Sequence, residues 1–346
     1  MGEGTRFVVV REGARLARRA LQNRSHGAGG ALRSHKWKGL TPAGVSHRMA
    51  AGMILAGMIC LRAGGAAEEA RPKITQVAFV QIGVSDMQKA SAFYHGELKL
   101  PEVNCRGGSG KCFFLNPSQQ VELVPMETAP NGNRIGMIAL YTSDAKTLRQ
   151  YLLAHGEKPK EIVKDVPGRI SFRIQDPEKH TIEFVQLTGG VIGSVMGGPP
   201  LSSRMIHVGV VVKDRAAMDH FYKDILGFRL YWSGGMKDGE TSWVAMQVPD
   251  GTDWVEYMLN IPGNADKHTL GVMNHISLGV VSVKAAKEEL EKAGVVLGAE
   301  EQPKIGRDGK WQLNLYDPDE TRVELMEFTP VEKPCCTEFT GEHPKP

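Results

Sequence analysis

Residues 205–230, MIHVGVVVKDRAAMDHFYKDILGFRL, repeat the pattern of residues 74–100, ITQVAFVQIGVSDMQKASAFYHGELKL. Each opens with a strand of alternating and apolar residues, turns at an Asp (Asp86, Asp214), and continues as an amphipathic helix with an aromatic pair on its apolar stripe (Phe93 and Tyr94; Phe221 and Tyr222). The offset is 128 residues. Further on, RISFRIQDPEKHTIEFVQ (169–186) matches WQLNLYDPDETRVELMEF (311–328), with Asp176 on Asp317 and Glu183 on Glu324. There the offset is 141, so the second copy has gained about a dozen residues. Between the copies, TGGVIGSVMGGPPLSSR has the glycine and proline content of a linker.

Each copy divides once more. Short alternating stretches follow the first helix (FFLNP and QQVELVPM; SWVAMQV and DWVEYML), and then a second strand and helix begin. These second starts are GMIALYTSDAKTLRQYLLAHG (136–156) and NHISLGVVSVKAAKEELEKAG (274–294). In each, apolar residues recur at i, i+3 and i+4 up to a Gly, the residue that ends a helix at its C′ position. The chain therefore reads as an α+β protein of four units, each a strand, a helix and three strands. Asp86 and Asp214 are placed to cap the first helices, and Asp176 and Asp317 to form turns.

The charge distribution narrows the function. Residues 1–67 carry eleven Arg and Lys against Glu3 and Glu12, a net of +9. The whole chain is +3, so the remaining 279 residues carry −6 and offer no basic footprint for a nucleic acid. Within that leader, MAAGMILAGMICL (49–61) is uncharged, is flanked by Arg48 and Arg62, and is followed by the small residues AGGAA. A basic flank, a short apolar core and a small-residue exit are the parts of a secretory signal. Thirteen residues also fall short of the ~20 needed to cross a membrane. Cleavage near Ala67 is expected, giving an exported protein, periplasmic or secreted, with no membrane segment after signal removal. An Arg-rich, acid-poor organelle transit peptide is the second reading, and Met49 is an alternative start.

After cleavage four cysteines remain, Cys105, Cys112, Cys335 and Cys336, an even number in a compartment where disulfides persist. The glycine-rich turn in CRGGSGKC allows Cys105 and Cys112 to face each other across a hairpin, as a bond or as two free thiols. The adjacent pair Cys335–Cys336 lies in a Pro-rich tail, residues 330–346, expected to be mobile.

Four such modules, with HVGVVVKD opening a half and YDPDETRVEL closing it, resemble the vicinal oxygen chelate superfamily. That family includes glyoxalase I, methylmalonyl-CoA epimerase, fosfomycin and bleomycin resistance proteins and type I extradiol dioxygenases. The resemblance covers residues 73–187 and 203–329, leaving 188–202 as the linker. It implies a tandem glyoxalase-like fold in which βαβββ modules pair into two half-open sheet barrels. The cavity of such a barrel holds a metal bound from the first and last strands of each module.

On those strands the second half carries His207, Glu256, His275 and Glu324, with 49 residues from His207 to Glu256 and again from His275 to Glu324. Two neutral imidazoles and two carboxylates neutralise a divalent cation, and period-2 strand geometry can aim all four into one cavity. The ligand set suits Zn, Ni, Mn, Co or Fe(II). The first half is an internal control: the same alignment puts Phe79, Glu122, Met137 and Glu183 at these positions. Phe79 and Met137 cannot bind a hard cation, so a degenerate, metal-free first domain is expected.

The resemblance to glyoxalase I and the epimerases implies a lyase or isomerase acting on a small carbonyl compound. In it the metal would stabilise an enediolate while Glu324 or Glu256 moves the adjacent proton. Glu324 is the preferred base, as the closing-strand Glu of the glyoxalase I pattern. The alternative implied is ring cleavage by an extradiol-type dioxygenase with Fe(II) on His207, His275 and Glu324, for which His268 is the only nearby candidate to partner dioxygen. A third class is a non-catalytic binding protein of the bleomycin-resistance kind. Among the tryptophans of the second half, Trp254 falls on the same strand face as Glu256. The other histidines, His95, His155, His180, His220 and His268, read as surface residues. No P-loop, dinucleotide fingerprint or nucleophile elbow is present, which argues against a nucleotide cofactor. Four modules in one chain complete both barrels, as a monomer or homodimer.

Overall fold

The computed structural model describes residues 70–105, 110–126, 132–189 and 200–346; the leader 1–67 and most of the linker lie outside them. Two mixed sheets form, one from each half. In the first, β1 (Ile74–Val84), β2 (Glu102–Asn104), β3 (Lys111–Asn116), β4 (Gln119–Pro125), β5 (Ile135–Thr142), β6 (Arg169–Gln175) and β7 (Thr181–Leu187) lie in the order β2-β3-β4-β1-β5-β7-β6. In the second, β8 (Arg204–Val211), β9 (Arg229–Gly234), β10 (Trp243–Gln247), β11 (Trp254–Met258), β12 (His275–Val280), β13 (Lys304–Ile305), β14 (Trp311–Tyr316) and β15 (Arg322–Glu327) lie in the order β13-β14-β15-β12-β8-β11-β10-β9. In each half the first strands of the two modules, β1 with β5 and β8 with β12, run antiparallel at the centre. The closing strand of every module then adds in parallel beside its own first strand. This is the tandem glyoxalase-like fold.

The helices begin where short polar side chains satisfy their first amides. Asp86 accepts from Gln88 and Lys89 N at α1 (Met87–Ser91), and Asp144 from Lys146 and Thr147 N at α2 (Ala145–Ala154). Asp214 accepts from Ala217 N at α3 (Arg215–Asp219), and Ser282 from Ala285 N at α5 (Val283–Lys292). Both α1 and α3 continue as a π-helical turn, Ala92–Glu97 and His220–Ile225, that buries the aromatic pair. A further helix, α4 (Lys267–Met273), capped by Asp266, occupies the extra segment of the second copy.

Two expectations need correction. Among the described residues the second module has two strands after its helix, not three. Pro159 and Pro167 remove amide donors from the intervening stretch, and its ladder shrinks to one bridge, Val163 with Ser171. The tail is also not loose. Thr337 exchanges two hydrogen bonds with Ser233 on β9, Thr340 N donates to Tyr231 O at 3.0 Å, and Val331 N and Cys335 N donate to Gly309 O and Arg307 O. It thus links β9 to the turn before β14, the two sides of the barrel that the sheet leaves unpaired. Among the described residues two disulfides form, Cys105–Cys112 and Cys335–Cys336.

The halves pack by reciprocal contacts that the repeat explains. Tyr94 donates to Asp317 at 3.2 Å and Tyr222 to Asp176 at 3.1 Å. Likewise Ser85 N donates to Asp319 while Lys213 N donates to Glu178. The Asp of each DP turn organises its own turn and receives the buried tyrosine of the other half.

Candidate metal centre

The register of the second sheet brings the four expected residues onto one face. On β8, His207 and Gly209 are two apart and share a face. Gly209 is flanked by Glu256 on β11 and His275 on β12, while His207 lies opposite Ser277, whose other neighbour is Glu324 on β15. Gly209 is required for the crowding this creates: a Cβ there would lie 2.0 Å from Cε1 of His275. The same rows in the first sheet join Gln81 to Glu122 and Met137, and Ala139 to Glu183. The residue alignment made from sequence is therefore also the structural one.

The side chains converge. His207 Nε2 and His275 Nε2 are 3.0 Å apart, and Glu256 Oε2 is 3.7 Å from the first and 3.6 Å from the second. Metal–nitrogen and metal–oxygen bonds of about 2.1 Å place neighbouring ligand atoms about 3.0 Å apart in octahedral and about 3.4 Å apart in tetrahedral geometry. The trio His207, Glu256 and His275 thus fits a divalent cation with little adjustment. Glu324 Oε2 stands 3.5 Å from His207 Nε2 and is the fourth donor, outside this trio. His275 Nδ1 hydrogen-bonds Met273 O at 3.0 Å, which turns Nε2 toward the site. The His207 ring stacks on Trp254 with centroids 4.7 Å apart, and its Nδ1 is buried without a hydrogen bond. Arg322 Nη2 donates to His275 Nε2 at 2.9 Å, so a cation must displace that contact to use the same lone pair.

Burial dominates the electrostatics. Both imidazoles are fully buried, which holds their pKa well below the usual histidine range, and Arg322 lowers it further. They are neutral near pH 7, the form that binds metals. Glu256 is pushed up to about 8 by burial and then by the like charge of Glu324. Burial also raises Glu324, against the pull of Arg322. These carboxylates hold protons tightly until a cation compensates them.

A cavity of about 90 Å³ opens onto this cluster, lined by Glu256, Glu324, Arg322, Arg307, Trp232 and Trp243 among others. Trp254 lies behind His207, on the face expected. Sequence reasoning missed Lys310, which is fully buried beside the site. Its Nζ lies 5.0 to 5.3 Å from the ring centroids of Trp254, Tyr231 and Phe339 and donates to Tyr231 Oη at 3.2 Å. Burial lowers its pKa to about 8. One signal was available: Lys310 aligns with Arg169 at the offset of 141. His268 is exposed on α4, as the surface reading expected, and pairs with Glu320 at 2.8 Å. His180 is more enclosed than expected, bonded to Asp176 at 2.9 Å with 12% of its side chain exposed.

The profile of the Glyoxalase/Bleomycin resistance protein/Dioxygenase superfamily matches residues 74–184 and 204–325. The chain belongs to this superfamily. Among curated proteins none matches it in sequence. Solved structures with the same fold include the 2,3-dioxygenase LapB from Pseudomonas sp. KL28, with TM-score 0.58 and 17% identity, covering 80% of this chain and 96% of that one. A Mn(II)-bound glyoxalase from Novosphingobium aromaticivorans has TM-score 0.56 and 18% identity, covering 74% of this chain and 83% of that one. An extradiol ring-cleaving dioxygenase from B. fuscum has TM-score 0.55 and 19% identity, covering 74% of this chain and 72% of that one. Among the described residues no helix is long and apolar enough to cross a membrane.

Proposed function

We propose that this chain is an exported, metal-dependent lyase or isomerase of the glyoxalase I or epimerase type, acting on a small carbonyl compound. The observation that carries the reading is the convergence of His207 Nε2, His275 Nε2 and Glu256 Oε2 at the end of a cavity. A divalent cation held by His207, His275 and Glu256 would supply Lewis acidity toward a carbonyl oxygen. The residues do the rest. The neutral imidazoles leave the carboxylates as the only ligand charges, and Trp232 and Trp243 give the cavity an apolar wall on one side. Glu324 lines the cavity outside the trio, and its burial raises its affinity for a proton, properties suited to the base that removes the proton beside the carbonyl. Glu256 is the second candidate, as ligand and proton carrier together. Two disulfides among the described residues support an oxidising compartment, as the leader does.

The test is metal content by mass spectrometry on untagged protein, followed by solvent deuterium exchange at the carbon beside the carbonyl of candidate substrates. Stoichiometric metal with exchange abolished in Glu324→Gln supports the reading. Protein that takes up no metal on titration overturns it. A second reading, Fe(II)-dependent ring cleavage through His207, His275 and Glu324, draws on the dioxygenase neighbours. Bound iron with oxygen uptake on a catechol would favour it. A third, a binding protein without chemistry, is favoured by the Arg322 contact to His275, and predicts no metal uptake.

A further inference from the structure

Lys310 and Arg169 occupy the same position of the repeat, at the start of the strand that pairs with the closing strand. In the first half this cation reaches the closing-strand carboxylate. Arg169 Nη2 is 3.7 Å from Glu183 Oε1, and its guanidinium lies 5.6 Å from the Phe79 ring. In the second half the cation starts from the same place and shares its strand face with Gln312 and Asn314, the latter paired in register with Glu324. Yet among the described residues no ion pair joins Lys310 to Glu324 or to Glu256. The ammonium instead sits in a box of Tyr231, Trp254 and Phe339, with the Tyr231 hydroxyl as acceptor. Tyr231 in turn is hydrogen-bonded to His343. Phe339 and His343 belong to the C-terminal tail, which docks on β9 through Thr337 and Thr340.

We propose that the tail is part of the metal centre: Phe339, with Tyr231, holds the Lys310 ammonium away from Glu256 and Glu324, so that a divalent cation rather than the lysine neutralises them. This rests on the metal reading above. Phe339 and Tyr231 are positioning residues acting through Lys310. A cation over aromatic faces is stabilised without a close ion pair, here with the added coulombic pull of the buried Asp308. When the box opens, the flexible four-carbon stem lets the ammonium turn along the strand face it shares with Asn314 toward Glu324, and the lysine becomes a competitor for the carboxylates.

The experiment compares Mn²⁺ affinity, by calorimetric titration of the full chain, in the wild type, Phe339→Ala, Lys310→Met and the double variant. Phe339→Ala is expected to weaken Mn²⁺ binding about 10- to 100-fold, the competition expected from a charge-assisted hydrogen bond. Lys310→Met in the same chain should restore it. Tyr231→Phe, which keeps the ring and removes the acceptor, should have a smaller effect of the same sign. An unchanged affinity in Phe339→Ala, or a loss that Lys310→Met does not rescue, overturns the proposal; the latter is what mere structural damage would give. A crystal structure of Phe339→Ala decides the matter independently of metal. Lys310 Nζ within about 4 Å of a Glu256 or Glu324 oxygen, the span of an ion pair, supports the proposal, and Nζ remaining against Tyr231 and Trp254 overturns it. A wild type that takes up no Mn²⁺ would instead remove the metal reading, and that structure would still decide whether the box positions the lysine.

Discussion

The two half-barrels place equivalent residues in equivalent registers and use them in opposite ways. Around β8 and β12, His207 and His275 meet across Gly209 and face Glu256 and Glu324, which no Lys or Arg ion pair reaches among the described residues, although Arg322, on the strand of Glu324, pulls on both. Around β1 and β5 the same positions hold Phe79 and Met137, packed with Ala78, Ala139, Tyr141 and Val185 into a small apolar cluster. The first half retains Glu183, almost wholly buried, and neutralises it from within the chain with Arg169 at 3.7 Å and Arg173 at 3.2 Å. A buried carboxylate must be compensated; the first half pairs Glu183 directly with two guanidinium groups, whereas in the second Arg322 and Lys310 pull on Glu256 and Glu324 without pairing with them, which leaves a place for a divalent cation. Retention of both glutamates in both halves is therefore no sign of a metal. The paired histidines, and the lysine kept apart, are.

Five measurements would break or sharpen this contrast. The largest effect is expected from His207→Ala with His275→Ala. Metal affinity should fall roughly 10³-fold or more, about 4 kcal/mol, while the first half is undisturbed; retained metal would break the contrast outright. Next, Arg169→Met should destabilise the protein by about 3 kcal/mol in denaturant unfolding, because the buried Glu183 loses one of its two cationic partners. Lys310→Met, at the same repeat position, should cost less than that, since Lys310 makes no ion pair among the described residues and only the coulombic pull on the buried Asp308 is lost. Equal losses would show that the two cations do the same job. Gly209→Ala should push the His275 ring aside and weaken metal binding by about 30-fold, read by titration.

The pH dependence has a definite sign. Glu256 titrates at about 8 and must lose its proton to bind a cation, whereas both histidines are already neutral. Apparent Mn²⁺ affinity should fall about tenfold from about pH 7 to about pH 6 and level off above about pH 8. An affinity independent of pH over that range would exclude Glu256 as a ligand. The smallest effect concerns the reciprocal contact between the halves. Tyr94→Phe should cost about 1 kcal/mol, because it takes the donor from a buried oxygen of Asp317, and Tyr222→Phe less, because the Asp176 oxygen it serves keeps its contact with His180 Nδ1.

Much of this was legible in the residues. Strand alternation, Asp caps at residues 86 and 214 and two long internal matches established four modules in two halves, because periodicity and capping are local and repeat wherever the module does. The four candidate donors followed from the resemblance, which places metal ligands on the first and last strands of each module, and period-2 spacing then put them on one face. Lys310 and the tail were not legible. Their roles depend on which distant aromatic residues surround an ammonium, and Phe339 meets Lys310 only because the tail returns to β9. The Pro-rich composition that suggested a mobile tail says nothing of the sheet sides it pairs with. Nor did the sequence distinguish the two glutamates, because the difference lies in side-chain distance within one cavity. By itself the sequence determined the modules and, through the resemblance, their pairing and the type of donor on their first and closing strands, all properties of neighbours along the chain or across one register. Only the tertiary structure decided which charges compensate which, because the cost of a buried charge is set by whatever packs against it, however far away in sequence.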